Sequence, residues 1–176
     1  KAAYEITTHL LTHGHENIGF ICGDKEHKST SERLEGYKAA LADHHKEFDK
    51  RFIYDGKYSF ESGVEGAKHL LAENNTLAIT AILGGNDEMA AGALFASRLM
   101  GIAIPEQLSI TGFEDSPFSR QTWPKLTTAH QANDVISQHA ARLLFTKTRG
   151  ARNQDKDIIT SFTPSIVIRE SSGPKQ

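Results

Sequence analysis

Residues 77–101 read LAITAILGGNDEMAAGALFASRLMG, and this stretch decides the fold class. The apolar run Leu77–Leu83 predicts a strand that is buried on both faces, as the strands of a parallel sheet are. Asn86 is a typical N-cap and Gly101 a typical helix stop, so the residues between them predict a helix to about Met100. The core side of this helix carries residues at helical spacing, namely Met89, Ala93, Leu94 and Ser97.

The same strand–helix unit is repeated on both sides of this stretch. We predict strands at about 18–22, 51–54, 77–83 and 108–113, with strand-like pieces at 157–162 and 165–169. Helices are predicted at 3–11, from a capping box at Ser29–Glu32, and at 59–71, 86–100 and 134–145. Strands and helices that alternate in this way form right-handed βαβ units. The expected fold is therefore α/β with three layers, a mostly parallel sheet with helices on both faces.

Composition excludes several classes of protein. A length of 176 residues suits a single compact domain, and a net charge of −2 gives no basic face for nucleic acid. No apolar run is long enough to span a bilayer. The only cysteine, Cys22, lies in an apolar strand, which suits a buried core residue in a reducing cytosol. The sequence therefore predicts a cytoplasmic protein.

Polar side chains follow each predicted strand, at the edge where parallel sheets bind their ligands. This edge is expected to collect an arginine, carboxylates, an amide and an aromatic ring, contributed by Ser29, Arg33, Asp55, Tyr58, Asn86, Asp87, Glu114 and Asp115. A guanidinium donates several hydrogen bonds, a carboxylate accepts them from hydroxyls, and an aromatic ring covers the apolar face of a sugar. The mixture indicates a site for a polyol.

A purely structural interpretation of the same residues stays open. Asn86 can act only as an N-cap, Asp87 as a favourable first-turn charge, and Glu114–Asp115 as a solvated loop.

Other chemistries find less support in the sequence. Among nine histidines, His9 and His13 share a helix face, but no further ligand has zinc-site spacing, so both are expected to be exposed and no metal is predicted. No phosphate-binding glycine loop and no Gly-x-Ser-x-Gly elbow is present. Glu114 and Asp115 are adjacent, which does not suit the two carboxylates of a glycosidase. We therefore predict no enzyme, no catalytic residue and no cofactor.

Seven segments in order resemble successive signatures of the lac/gal repressor family of bacterial transcription regulators. They are LLTHGHENIGFI from Leu10, SERLEGY from Ser31, YSFESG from Tyr58, NDEMAAGA from Asn86, GIAIPEQLSITGF from Gly101, PKLTT from Pro124 and IRES from Ile168. Together the matches run from Leu10 to Ser171, nearly the whole chain.

The resemblance implies a type I periplasmic-binding-protein-like fold, in which two lobes close around a small sugar-like effector. It implies that residues 1–176 form the carboxy-terminal part of the effector-binding domain, mainly one lobe, without the first lobe and the DNA-binding head. Operator DNA would be bound by that head and not by this segment. The alternative is a sugar-binding component of a transport system with the same fold.

The resemblance also implies roles for individual residues. Arg33 corresponds to the arginine that holds the effector, and the other predicted ligand-binding residues are Ser29, Tyr58, Asn86, Asp87, Glu114 and Gln131. Glu114 departs from the family pattern, which has aspartate there, and this puts the ligand geometry in doubt because the carboxylate reaches one methylene further. Asp115 is expected to be structural.

A homodimer contact is predicted from apolar residues that fall outside the predicted core. They are Ala91 and Phe95 on one helix, with Phe118 and Trp123 in the following proline-flanked loop. By resemblance, this helix and loop form half of the repressor dimer interface. The alternative is that Trp123 folds back onto its own lobe.

Overall fold

A six-stranded sheet in the order β2-β1-β3-β4-β5-β6 forms the centre of the computed structural model. The structure describes residues 1–72, 77–148 and 160–176. The strands are β1 (Ile18–Cys22), β2 (Ile53–Asp55), β3 (Ala81–Gly84), β4 (Ser109–Glu114), β5 (Thr127–His130) and β6 (Ser165–Val167). All neighbouring strands are parallel except β6, which is antiparallel to β5.

Helices cover both faces of this sheet. They are α1 (Ala2–Thr12), α2 (Lys28–Asp43), α3 (Phe60–Ala72), α4 (Asp87–Leu99), α5 (Pro117–Gln121) and α6 (Asn133–Thr148), with a 3-10 turn at Lys50–Phe52. Alternate residues of β1 serve the two faces: Phe20 belongs to the cluster with α1 and α2, and Ile21 to the cluster with α3 and α4. The predicted three-layer fold with a mostly parallel sheet is confirmed.

Two predicted strands differ from those of the structure. The third strand was expected from Leu77 but begins at Ala81; Leu77 and Ile79 are buried in the connection before it, so they continue its apolar pattern without pairing. The predicted strand 157–162 is not found over residues 160–162, and residues 157–159 lie outside the described part of the chain. None of the helices in the described ranges is long and apolar enough to cross a membrane.

The two predicted helix caps have different outcomes. Asn86 caps α4 as expected, because its Oδ1 accepts a hydrogen bond from the Met89 amide at 2.8 Å. The capping box at Ser29–Glu32 is wrong: α2 begins at Lys28, its N-cap is His27, and no side chain caps it. Ser29 Oγ lies instead 3.2 Å from the hydroxyl of Tyr58.

Helices α3 and α4 pack backbone against backbone at two glycines. A Cβ added to Gly63 would lie 2.2 Å from the carbonyl oxygen of Met89. A Cβ added to Gly92 would lie 2.1 Å from the carbonyl oxygen of Phe60. Neither helix can carry a side chain at these positions without separating from the other.

The prediction that His9 and His13 are exposed is wrong for His9, which is buried, while His13 is half-buried. Its Nε2 lies 3.1 Å from Ser172 Oγ, and that hydroxyl donates to Thr127 Oγ1 at 2.8 Å. His15 is also buried, with Nε2 at 2.9 Å from the Gly173 carbonyl oxygen. The two histidines thus hold the carboxy-terminal segment against the sheet as neutral rings.

Acid should destabilise the fold through His9. Burial, followed by the nearby His13 and His15, lowers the pKa of His9 from 6.5 to about 4. The unfolded chain therefore takes up the proton first, so this contribution is complete above pH 6.5 and is lost as the pH falls toward 4. The full loss amounts to about 3 kcal/mol. Urea unfolding at several pH values measures it.

The matched comparison is between two histidine-to-glutamine variants. His9→Gln keeps a donor for Ser172 but cannot titrate, so it should reduce the dependence of the unfolding free energy on pH over this window, leaving the part that comes from the buried His15, whose pKa burial also lowers. His44→Gln, at the C-terminal end of α2, should leave the dependence as in the wild type. An unchanged slope in His9→Gln would show that another group governs the acid response.

Candidate functional site

Arg33 lies at the sheet edge where the carboxyl ends of β1 to β4 meet, here called the carboxyl edge. Its guanidinium donates from Nη1 to the Gly85 carbonyl oxygen at 2.6 Å and stacks 4.1 Å from the centroid of the Phe113 ring. The side chain is only 11% exposed. Arg33 is thus held rigidly, with Nη2 directed to the Glu114 side, where the nearest carboxylate oxygen is 3.8 Å away.

Glu114 is the carboxylate that faces this arginine. Its side chain is 38% exposed, and at 3.8 Å it forms an ion pair with Arg33 that a hydroxyl can approach from one side and bond to both groups. Burial raises the pKa of Glu114; the Arg33 charge opposes this, while Asp87 and Glu88 add to it. A hydroxyl-rich ligand beside the pair would find donors on Arg33 and an acceptor on Glu114.

Tyr58 places an aromatic ring beside the pair. Its hydroxyl is held by Thr30 Oγ1 at 2.7 Å and Ser29 Oγ at 3.2 Å, and the Arg33 guanidinium lies 5.8 Å from its ring centroid. The ring lies directly over Gly23, because a Cβ there would be 1.9 Å from Tyr58 Cζ. Gly23 is therefore required to seat the ring.

A small pocket of about 160 Å³ brings together three of the predicted residues, Ser29, Arg33 and Gln131. Its remaining wall is formed by Lys1, Ala2, Ala3, Glu32 and Phe113. Sequence reasoning missed Phe113 and Glu32. The sequence could have indicated Phe113, because this aromatic residue lies at the end of the predicted strand, directly before Glu114, and so at the same edge of the sheet.

The other predicted ligand-binding residues do not line this pocket; they are Tyr58, Asn86, Asp87 and Glu114. Asn86 is buried, caps α4 and donates from Nδ2 to the Tyr58 carbonyl oxygen at 3.2 Å. Asp87 has no exposed surface; its two oxygens accept from Thr128 Oγ1 at 2.5 Å and the Ser116 amide at 2.6 Å. Burial raises the pKa of Asp87 against these hydrogen bonds. The structure favours the structural interpretation of Asn86 and Asp87.

Asp115 also has a structural position, as predicted. Its carboxylate accepts from Arg169 Nη2 at 2.5 Å and from Ser119 Oγ at 3.0 Å, and it lies 3.1 Å from His130 Nδ1. Burial opposes its ionisation, but the bonds from Arg169 and Ser119 outweigh it and lower the pKa of Asp115. The residue is therefore an ionised anchor between β4, α5 and the carboxy-terminal segment.

Of the four residues of the predicted dimer contact, Phe95, Phe118 and Trp123 are exposed on one surface, whereas Ala91 is 4% exposed and belongs to the core, although all four border the same groove. This groove of about 370 Å³, here called the aromatic groove, is formed by Phe60, Ala91, Leu94, Phe95, Arg98, Phe118, Gln121, Thr122 and Trp123. Trp123 is 71% exposed, so the alternative in which it folds back onto its own lobe is wrong. Within the described residues, no group of three or more His, Cys, Asp or Glu side chains could hold a metal ion.

Comparison with protein families identifies one domain over most of the chain. The model of the periplasmic binding protein-like domain matches residues 7–172. Among curated proteins, the HTH-type transcriptional regulator DegA of Bacillus subtilis (strain 168) is 34% identical over 174 residues, which are 99% of this chain and 50% of DegA. The chain spans about half the length of the curated relatives it matches.

Solved structures with the same fold include sugar complexes. The complex of the transcriptional regulator CelR with cellobiose has a TM-score of 0.89 and 26% identity, covering 97% of this chain and 51% of CelR. A LacI family transcriptional regulator from Enterococcus faecium with bound ribose has a TM-score of 0.87 and 26% identity, covering 99% of this chain and 63% of that one.

Proposed function

The chain belongs to the family of periplasmic binding protein-like domains, in the form found in LacI-family regulators, and on that premise we propose that it senses a small sugar or sugar derivative. It is the effector-binding part of a DNA-binding transcription regulator, a repressor, and acts by binding and not by catalysis. The single observation that carries the proposal is the buried, preorganised Arg33 paired with a half-exposed Glu114, so that a hydroxyl beside the pair can bond to both.

Each element of the carboxyl edge has a task in holding a sugar. The Arg33 fork donates to ring or hydroxyl oxygens, Glu114 accepts from hydroxyls, and Tyr58 covers an apolar face of the ring. Ser29 and Gln131 line the same pocket as Arg33 and add polar contacts. Because Arg33 is already fixed by Gly85 and Phe113, little side-chain entropy is lost when the ligand binds.

The mechanism is a shift of populations between arrangements of two lobes. A ligand that bridges this lobe and the other favours the closed arrangement, and the closed arrangement changes how two DNA-binding heads are spaced on an operator. In this proposal the heads and the other lobe lie in parts of the protein outside this chain, which spans about half the length of its relatives. With a net charge of −2 the chain itself is not a DNA-binding surface, and such a regulator works in the cytoplasm.

A titration of DNA binding tests this function against the transport alternative. The full-length protein is bound to a fluorescent duplex of its own promoter region and titrated with a sugar panel that includes D-ribose and cellobiose. We expect anisotropy to change with at least one sugar. If the full-length protein binds no duplex at low salt, the transport alternative replaces the proposal. If it binds DNA but no sugar alters the anisotropy, the effector is not a sugar.

The proposal includes a homodimer formed through the aromatic groove. Phe95, Phe118 and Trp123 are 48%, 43% and 71% exposed, and this concentration of apolar rings on one surface is unusual for a monomer. The small Ala91 at the floor of the groove lets a second copy approach closely. A two-fold interface fits, in which each copy places its rings in the groove of the other.

Trp123→Ala should weaken self-association of this chain without weakening its fold. A ring that is 71% exposed contributes little to the core, but at the centre of an interface its loss costs about 2 kcal/mol or more. Sedimentation over a concentration series measures the association constant. Leu144→Ala, which removes a similarly exposed side chain from α6, is the control and should leave association unchanged. A wild-type chain that stays monomeric at its highest soluble concentration would exclude the interface.

A further inference from the structure

Two consecutive residues that are not glycine have left-handed backbone conformations at the end of β4. Glu114 has φ +113° and Asp115 has φ +56°. A φ of +113° is disfavoured for any residue with a Cβ and persists only where the surrounding structure enforces it. The strained residue is the one whose carboxylate faces Arg33, so what holds the backbone here also places the ligand contact.

The ion pair between Asp115 and Arg169 is the strongest restraint beside Glu114. Arg169 is 14% exposed, donates from Nη2 to Asp115 at 2.5 Å and also donates from Nη1 to the Leu126 carbonyl oxygen at 2.7 Å. These bonds tie residue 115 to the segment that follows β6 and to the start of β5. The pair is nearly dry and charge-assisted, which makes it stiff.

A second set of bonds fixes the residues on either side. The Ser116 amide donates to the buried Asp87, which is also bound by Thr128. In the parallel β4–β5 register, Glu114 lies opposite His130. Glu114 is therefore fixed by strand pairing on one side and by the Asp115 anchor on the other.

We propose that Asp115 and Arg169 are positioning residues that hold Glu114 in its left-handed conformation with the carboxylate facing Arg33. Loss of the pair lets residue 114 relax toward an ordinary extended conformation, which turns its side chain away from the arginine. Ligand affinity at the carboxyl edge then depends on the docking of residues 165–172, and by reciprocity a bound ligand strengthens that docking. The effect on ligand affinity, here called the ligand half, rests on the proposed function. The effect of the ion pair on the conformation of Glu114, here called the anchor half, does not.

The anchor is tested without any ligand by comparing glycine and alanine at position 114. Glu114→Ala and Glu114→Gly both remove the carboxylate, but only glycine adopts φ +113° without strain. We expect the unfolding constant of the glycine variant to be roughly tenfold smaller than that of the alanine variant, the reverse of their usual order. Urea unfolding of this chain measures both constants.

The same comparison is then made in an Asp115→Asn background, where the ion pair is lost but the shape is kept. The advantage of glycine over alanine should disappear or reverse, because residue 114 is no longer forced into the strained conformation. A merely structural role of Asp115 would lower the stability of both variants equally and keep the advantage of glycine. That outcome, or alanine more stable than glycine in the wild-type background, overturns the proposal.

The ligand half is tested in the full-length protein by calorimetric titration with D-ribose and cellobiose. If one of these sugars binds the wild type, Asp115→Asn should bind it roughly tenfold more weakly or worse. The affinity of Arg169→Lys should lie between those of the wild type and Asp115→Asn. Glu47→Gln, an exposed carboxylate near the opposite end of the sheet, is the control and should bind as wild type. Unchanged affinity in Asp115→Asn rejects the coupling. If neither sugar binds the wild type, the proposed function fails. The glycine–alanine comparison still shows whether the ion pair holds residue 114 in its left-handed conformation.

Discussion

Replacing Arg33 with alanine in the full-length protein is expected to abolish the proposed response to a sugar effector. The guanidinium is almost fully buried, so its donors work in a nearly dry site, and removing them costs about 2–4 kcal/mol of binding free energy. Such a loss corresponds to a roughly 30- to 1000-fold weaker affinity. Glu114 would also lose the cation that faces it, which adds the penalty of an unpaired carboxylate.

Calorimetric titration with the sugar that elicits the response measures the effect. Arg142→Ala removes an exposed arginine from α6, leaves the same net charge as Arg33→Ala, and should bind the sugar as wild type does. Glu114→Asp restores the length that the family usually has and should change the preference among sugars while the protein stays folded. Wild-type affinity in Arg33→Ala would show that the effector binds elsewhere.

Gly92→Ala should strongly destabilise this fold. Alanine gains about 1 kcal/mol of intrinsic helix stability over glycine. That gain is opposed by a Cβ placed 2.1 Å from the Phe60 carbonyl oxygen, a contact that only separation of α3 from α4 can relieve. Overpacking of this kind costs about 3 kcal/mol or more, so the clash outweighs the propensity.

Urea unfolding of this chain measures the change. Gly173→Ala is the control, because the nearest atom to its added Cβ is 3.6 Å away, at Pro105, which is ordinary contact. Its unfolding free energy should stay within about 0.5 kcal/mol of the wild type. A Gly92→Ala variant as stable as the wild type would mean that α3 and α4 are not in backbone contact.

The fold could be predicted because its signals are local. The apolar run before Gly84 and the cap at Asn86 report directly on a strand and a helix, since both depend on neighbours in sequence. Where the prediction failed, the cause was tertiary. Leu77 is apolar because the core covers it, not because it pairs in a strand, and Ser29 turns its hydroxyl to Tyr58 and does not cap α2.

The sequence predicts which residue types of the site lie at one edge of the sheet. It does not predict which of their side chains contact each other and which are buried. Arg33 and Glu114 were assigned to the edge from strand order, and the structure brings them within 3.8 Å. Asp87 carries the same signal in sequence, yet it is fully buried, because its partner Thr128 comes from a strand 41 positions away. The role of His9 was hidden for the same reason, since Ser172 is 163 positions away.

A crystal structure of the full-length protein with a bound sugar tests most directly whether Arg33 and Glu114 together bind the effector. We expect sugar hydroxyls within hydrogen-bonding distance of both the Arg33 guanidinium and the Glu114 carboxylate, with a face of the ring against Tyr58. A sugar bound in another place, for example in the aromatic groove, with no contact to Arg33 or Glu114, would contradict this expectation.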